Sequence, residues 1–263
     1  MLIPIPTIDV ETVFADFVEE YGGVVSDRLG AASDKPKNAD YIFHDAKVVA
    51  ELKLLKDDPV TNKDFLKSRE KKQKEWLQKG QISRAELAKV TKVNQLPDNC
   101  YRDIVKLYTR PIKYHLEKAN TQIKATKENM NLEDYKGLVF LTSDGNYFLE
   151  PRHVRQIAGD ILGPGKYRAI NTVVHLTVNV VTTRSDDETL SRLWVNLYRD
   201  KDYFENVPLP FLKDLFNKWV DYYQEVTRVK LENISEMNEE GITEDDVLAH
   251  TRFVKPINVD ENE

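Results

Sequence analysis

Residues 40–53 read DYIFHDAKVVAELK. Two short apolar runs, YIF and VVA, flank a polar stretch with the composition of a turn. The spacing predicts two strands, about Asp40 to Phe43 and Lys47 to Lys53, paired as a hairpin. Side chains alternate across a strand, so Val49, Glu51 and Lys53 share one face, and Val48, Ala50 and Leu52 share the other. Leu52 is expected to pack into the core, while Glu51 and Lys53 project together beyond the apolar run. A hairpin sets the start of one strand beside the end of the other, which brings Asp40 next to Glu51, eleven residues away in the chain.

Two converging carboxylates repel unless a cation sits between them. Hard cations such as Mg²⁺, or Mn²⁺ in its place, take oxygen ligands, and Mg²⁺ is usually held by one or two carboxylates plus waters. Asp40, Glu51 and the backbone carbonyl of Leu52 form such a candidate set. A metal held there can activate a bound water and stabilise charge on a phosphoryl oxygen. Lys53 adds a compact positive charge that can orient the water or stabilise the developing negative charge. The chemistry suits phosphodiester hydrolysis. The plain alternative is a surface ion pair at a strand end, worth about 0–1 kcal/mol.

The rest of the chain supplies a mixed order of elements. IDVETVFADFVEEY, residues 8–21, places Val10, Val13, Phe14, Phe17, Val18 and Tyr21 on one helical stripe, stopped by Gly22-Gly23. VVSDRL reads as a strand. Residues 61–92 read as two helices broken at Gly80, with Ser83 and Glu86 spaced as a capping box. Asp98 to Met130 is helical, with Pro111 as a boundary or kink. GLVFL, 137–141, is an apolar strand, and Asp144-Gly145 suits a tight turn. Residues 152–162 read as a helix before the break GPG, and NTVVHLTVNVVTT, 171–183, is β-rich, with SRLWVNLY as its partner. A last helix is expected from Asp214 to Asn233. Helix–strands–helices–strands indicates an α/β or α+β domain.

Composition excludes several classes. The chain has 263 residues, 41% hydrophobic and 31% charged, which suffices for one sizeable core. No apolar run is long enough to span a membrane, and the first residues lack the pattern of a secretory signal. A single cysteine, Cys100, rules out an intramolecular disulfide framework and is read as structural. The expectation is a soluble cytoplasmic protein with no membrane partner. The five histidines are scattered, with no pair at helical metal-ligand spacing, and no P-loop, dinucleotide fingerprint or Gly-x-Ser-x-Gly occurs. The net charge of −6 conceals a division. Lys53 to Lys92 holds twelve Lys/Arg against six Asp/Glu, whereas residues 232–263 hold ten Asp/Glu against two Lys/Arg. The basic segment could meet phosphates or simply be a solvated helix face. The acidic end could compete with DNA for that surface or be a solvated tail.

The order helix, strand, NADYIF, turn, VVAELK, helices, apolar strand resembles the core of the PD-(D/E)XK nuclease superfamily, the restriction-endonuclease-like fold, over about residues 8–142. Asp40 matches the first acidic position, Glu51 the second and Lys53 the lysine, while Ala39 stands where the family name has proline. The resemblance implies an α/β restriction-endonuclease-like core, a mixed central sheet flanked by helices, with an inserted helical subdomain at about 57–98. The nuclease-like domain would cover 1–231, followed by an acidic segment at 232–263. It implies Mg²⁺-dependent cleavage of DNA, or less often RNA. Members often act as dimers, so a homodimer is a further expectation.

Two more family positions have candidates. A glutamate on the first helix could be Glu11, Glu19 or Glu20, with Glu20 favoured beside the apolar stripe. On the helix after the lysine strand, Gln122 borders the buried stripe, and Asn120, Gln122, Lys124 and Lys127 could together face a phosphate backbone. The alternative to the enzyme is a non-catalytic module that keeps the fold and binds nucleic acid or a protein.

Overall fold

The computed structural model describes residues 7–26, 38–56, 62–90, 95–146, 151–163, 166–179, 181–184, 190–191, 194–198, 206–228 and 251–254. Helix α1 (Val10–Glu20) starts where the Asp9 side chain accepts the N–H of Thr12. It buries Val10, Phe14, Phe17 and Val18, the stripe expected from its periodicity. Strands β1 (Val24–Val25), β2 (Tyr41–Phe43) and β3 (Val48–Leu55) form an antiparallel meander. The β2–β3 register pairs Tyr41 with Ala50 and Phe43 with Val48, so the next position outward sets Asp40 beside Glu51.

Helices α2 (Lys63–Gln78) and α3 (Arg84–Lys89) follow β3, and the Ser83–Glu86 capping box forms with both of its hydrogen bonds. They pack on the first half of α4 (Asp98–Met130) through Trp76 and Ile82 against Cys100, Ile104 and Tyr108. The Trp76 indole N–H donates to Asp103 at 3.1 Å and fastens the pair to α4. Burial pushes the Cys100 thiol up, as befits a packing residue. Helix α4 runs unbroken through Pro111. That proline lies on the solvent side, while Tyr108, Ile112 and Leu116 stay buried around it, so packing outweighs the lost backbone hydrogen bond.

The chain then crosses over the sheet. Strand β4 (Lys136–Asp144) lies parallel to β3, and β5 (Thr172–Val178) lies parallel to β4, with α5 (Pro151–Ile161) between them in sequence. Gly145, at φ 65°, makes the turn after β4. Gly137 is fixed by space: a β-carbon there would collide with the Ala169 carbonyl. Strand β8 (Trp194–Tyr198) completes a six-stranded mixed sheet in the order β1-β2-β3-β4-β5-β8. It pairs antiparallel with β5, as expected for SRLWVNLY. A second sheet joins β6 (Val181–Arg184), β7 (Leu190–Ser191) and β9 (Thr251–Val254), in the order β7-β6-β9.

Helices cover both faces of the large sheet. Val49, Val139, Leu141 and Val173 face α4 and α5 in one core, and Val48, Ala50, Leu138, Phe140 and Val174 face α1 and α6 (Leu209–Thr227) in the other. The protein is therefore of α/β type, a mixed sheet between helices. Two expectations change. Helix α6 starts five residues before Asp214, because Pro208 and Pro210 suit a helix N-terminus. The acidic segment at 232–263 is partly built into the fold, since Thr251–Val254 pairs with β6. The stretch Thr243-Glu-Asp-Asp, whose sequence could start a short helix, falls outside the described residues. No described helix is long and apolar enough to cross a membrane.

Candidate active site

The end of β3 opens on a cleft of about 820 Å³ between α1 and α4. Its lining includes Glu11, Asn38, Asp40, Glu51, Lys53, Tyr114, Lys118 and Gln122. The hairpin register places Asp40 and Glu51 together, and backbone hydrogen bonds fix both carboxylates. The Asp40 N–H donates to Glu51 Oε2 at 3.0 Å, and the Leu52 N–H donates to Asp40 Oδ2 at 2.8 Å. The N–H and C=O of one strand residue point to the same edge, so the Leu52 carbonyl opens toward Asp40 as well. The Leu52 side chain lies on the other face, in the α1–α6 core.

Glu51 is wholly buried, yet it is ionisable and adjoins another carboxylate. Burial first, and the Asp40 charge second, push its carboxyl up to about 8, against the pull of Lys53. Lys53 donates to Glu51 Oε1 and, at 2.9 Å, to Gln122 Oε1. An ammonium has three N–H donors, so one remains for a water or a phosphoryl oxygen.

Helix α4 supplies the second wall. Gln122 donates to the Asn38 carbonyl at 3.3 Å. Thr126, one turn further on, accepts the Ala39 N–H at 2.6 Å and donates to the Gln122 carbonyl. Together they tie the start of β2 to α4 and hold Asp40 in register. Thr126 carries no chemistry of its own, and nothing in the sequence separates it from other helical threonines.

Glu20 lies elsewhere. It is exposed at the far end of α1, where its charge acts on Tyr222 of α6. Glu11, in the first turn of α1, is the α1 glutamate that lines the cleft, 3.9 Å from Lys56. Asn120, Lys124 and Lys127 also lie away from it. A helix turns roughly 100° per residue, which puts them on the opposite flank of the buried stripe from Gln122. Asn120 accepts the Ala169 N–H at 3.0 Å, Lys124 pairs with Glu128 at 3.6 Å, and Lys127 is half-buried near Lys136. Burial and the neighbouring ammonium depress Lys127 to about 8. The basic helix α2 is solvated, and its charge is partly offset by Asp64, Glu75 and Asp103. The cleft's own α4 residues are Tyr114, Glu117, Lys118, Thr121, Gln122 and Ala125, reached from Gln122 by helical steps back and forth. Ser143 and His175 hydrogen-bond at 3.1 Å inside the core, where burial holds the imidazole down at about 3, and they take no part in the cleft.

The oxygens present suit a hard divalent cation. Two carboxylates and a strand carbonyl meet at one end of the sheet, and the buried amide oxygen of Asn38, which also lines the cleft, has no hydrogen-bond partner among the described residues. No group of three or more His, Cys, Asp or Glu gathers around a metal position among the described residues, so any cation would rest on two carboxylates, neutral oxygens and water.

Fold and site define an α/β protein with an acidic pair and a lysine at the mouth of a mixed sheet. Comparison of the chain with protein-family models, with curated proteins and with solved structures returns no match.

Proposed function

We propose that the protein is a metal-dependent phosphodiester hydrolase acting on nucleic acid, with DNA the first substrate to try. The observation that carries this reading is the buried Glu51 carboxylate, locked beside Asp40 and bridged by Lys53 to Gln122, at the floor of an open cleft. The reading is also supported by the order α1, β1–β3, helices, β4, which is the order that carries the resemblance to a restriction-endonuclease-like core. Asp40, Glu51 and the Leu52 carbonyl would hold Mg²⁺ or Mn²⁺. When bound, such an ion lowers the pKa of a ligand water and offsets charge on a phosphoryl oxygen.

The chain's own groups do the rest. The Lys53 ammonium, held by Gln122, presents its remaining N–H toward the cleft and stabilises negative charge developing on the phosphate. Glu51 carries a proton near neutral pH in the absence of a cation and gives it up when one binds. Thr126 and Gln122 keep the start of β2 against α4, so the two carboxylates do not drift apart.

The test is plasmid and oligonucleotide cleavage with Mg²⁺ or Mn²⁺, comparing wild type with Asp40→Ala and Glu51→Ala. Cleavage lost in both folded variants supports the reading; cleavage that survives in both removes the site. The contact between Glu51 and Lys53 leaves room for a second reading, since it and the proton that Glu51 holds satisfy the buried carboxyl without a metal. A non-catalytic binding module would show no Mn²⁺ binding by calorimetry and no cleavage.

A further inference from the structure

We infer that the outer wall of the cleft binds an unpaired base, with Tyr114 as the stacking surface and Lys118 as the phosphate partner. The preferred substrate would then be single-stranded nucleic acid, or a single-stranded segment of a larger one. The inference deepens the hydrolase reading of Asp40 and Glu51 and rests on it.

Tyr114, Lys118 and Gln122 follow one another at four-residue steps, so they stand in a row along one flank of α4, and all three line the cleft. Gln122 touches Lys53 at the floor. Tyr114 lies eight residues back, roughly 12 Å along the helix axis. At about 3.4 Å per stacked nucleotide, a strand held at the carboxylates reaches Tyr114 within a few nucleotides.

Tyr114 is 51% exposed, and among the described residues only Val226 is another large apolar side chain so open to water. Lys118 sets its ammonium over one face of the Tyr114 ring, 4.5 Å from the centroid, which orients the ring and leaves the opposite face as the one a base would stack on. An exposed ring backed by a cation is a pairing suited to single strands, because every base has a face to stack and every nucleotide a phosphate for the ammonium. A duplex keeps its bases stacked inside and offers the ring only sugar and phosphate. The acidic residue between them, Glu117, is engaged by the Tyr167 hydroxyl at 3.1 Å and by Lys113 at 3.7 Å, which offsets its repulsion of a phosphate. Glu11 on the facing wall lies near Lys56 in the same way.

The experiment is fluorescence anisotropy of a short fluorescein-labelled oligothymidylate and of a blunt duplex, in Ca²⁺, with Mn²⁺ binding measured separately by calorimetry. We expect the single strand to bind more tightly than the duplex. Tyr114→Phe should bind as wild type, and Tyr114→Ala should weaken single-strand binding by about fivefold or more. Lys118→Gln should reduce the slope of log affinity against log salt by about 0.7. Equal binding by Tyr114→Ala and wild type, or tighter binding of the duplex, overturns the inference. If that happens while Mn²⁺ still binds through Asp40 and Glu51, the hydrolase reading stands alone. If Mn²⁺ does not bind and no oligonucleotide binds, both fall.

Discussion

Gln122 accepts a hydrogen bond from the Lys53 ammonium at 2.9 Å, although the two lie 69 residues apart in the chain. The same Gln122 side chain donates to the Asn38 carbonyl, so one amide on α4 fixes both the lysine and the approach to Asp40. Replacing Gln122 by Leu should preserve the fold, since the residue borders the stripe rather than filling it. Lys53 would then be aimed by Glu51 alone. We expect cleavage to fall by about 10²-fold, the usual cost of slight misplacement in a site, with Mn²⁺ affinity little changed. Single-turnover rates beside calorimetry separate the two effects.

Glu51 makes stability depend on pH in a definite direction. Its folded carboxyl titrates near 8, above the ordinary 4.5. Between those values the folded state holds a proton that the unfolded state has released. The stability contributed by the protonated form is complete below the unfolded value and lost as pH rises through 8. Without divalent ions, unfolding free energy should decline across this window by up to about 1.4 kcal/mol per pH unit. Glu51→Gln should flatten the decline in urea melts followed by circular dichroism; an unchanged slope would assign it to other groups.

The same proton couples to the cation. Below pH 8 the folded Glu51 is mostly protonated, so Mn²⁺ must displace the proton as it binds. Apparent affinity should rise by up to about tenfold per pH unit between 6 and 8. Calorimetry in buffers of different ionisation enthalpy reads the released proton directly, and Glu51→Gln should release none.

Gly137 is a stability test away from the cleft. It lies in β4 under the Ala169 carbonyl, and its N–H donates to Asn171 at 2.7 Å. Gly137→Ala should cost about 1–3 kcal/mol or more through overpacking. Denaturant melts of the metal-free protein would show it as a lower midpoint.

The hairpin and its carboxylates were readable because they depend on short-range rules. Alternation sets which face Glu51 and Lys53 share, and a tight turn sets which residue Asp40 meets. The capping box at Ser83 and the stripe of α1 are local in the same sense. The choice between Glu11 and Glu20 was not readable. Periodicity gives rotation about the α1 axis, whereas the cleft depends on how far along that axis the helix meets the sheet. The grouping of Asn120, Lys124 and Lys127 with Gln122 failed for a reason that was in the sequence, since counting turns puts them on opposite flanks. Stepping four residues back from Gln122 would have found Lys118 and Tyr114. The return of β8 to β5, and of β9 to β6, are long-range pairings; the first left a trace in β-rich composition and the second left none.

That last pairing bears on how the protein is made. Strand β9 is the last of the described strands to leave the ribosome, and β6 pairs with it along Val181–Arg184. Until Thr251–Val254 emerges, that side of β6 is an open edge, and open edges recruit strands from other chains. Nascent copies on one message are close neighbours during this interval. A chain cut short before Thr251 would keep the large sheet and the cleft but carry the bare edge permanently, so premature termination near the end should produce aggregates rather than an inactive monomer.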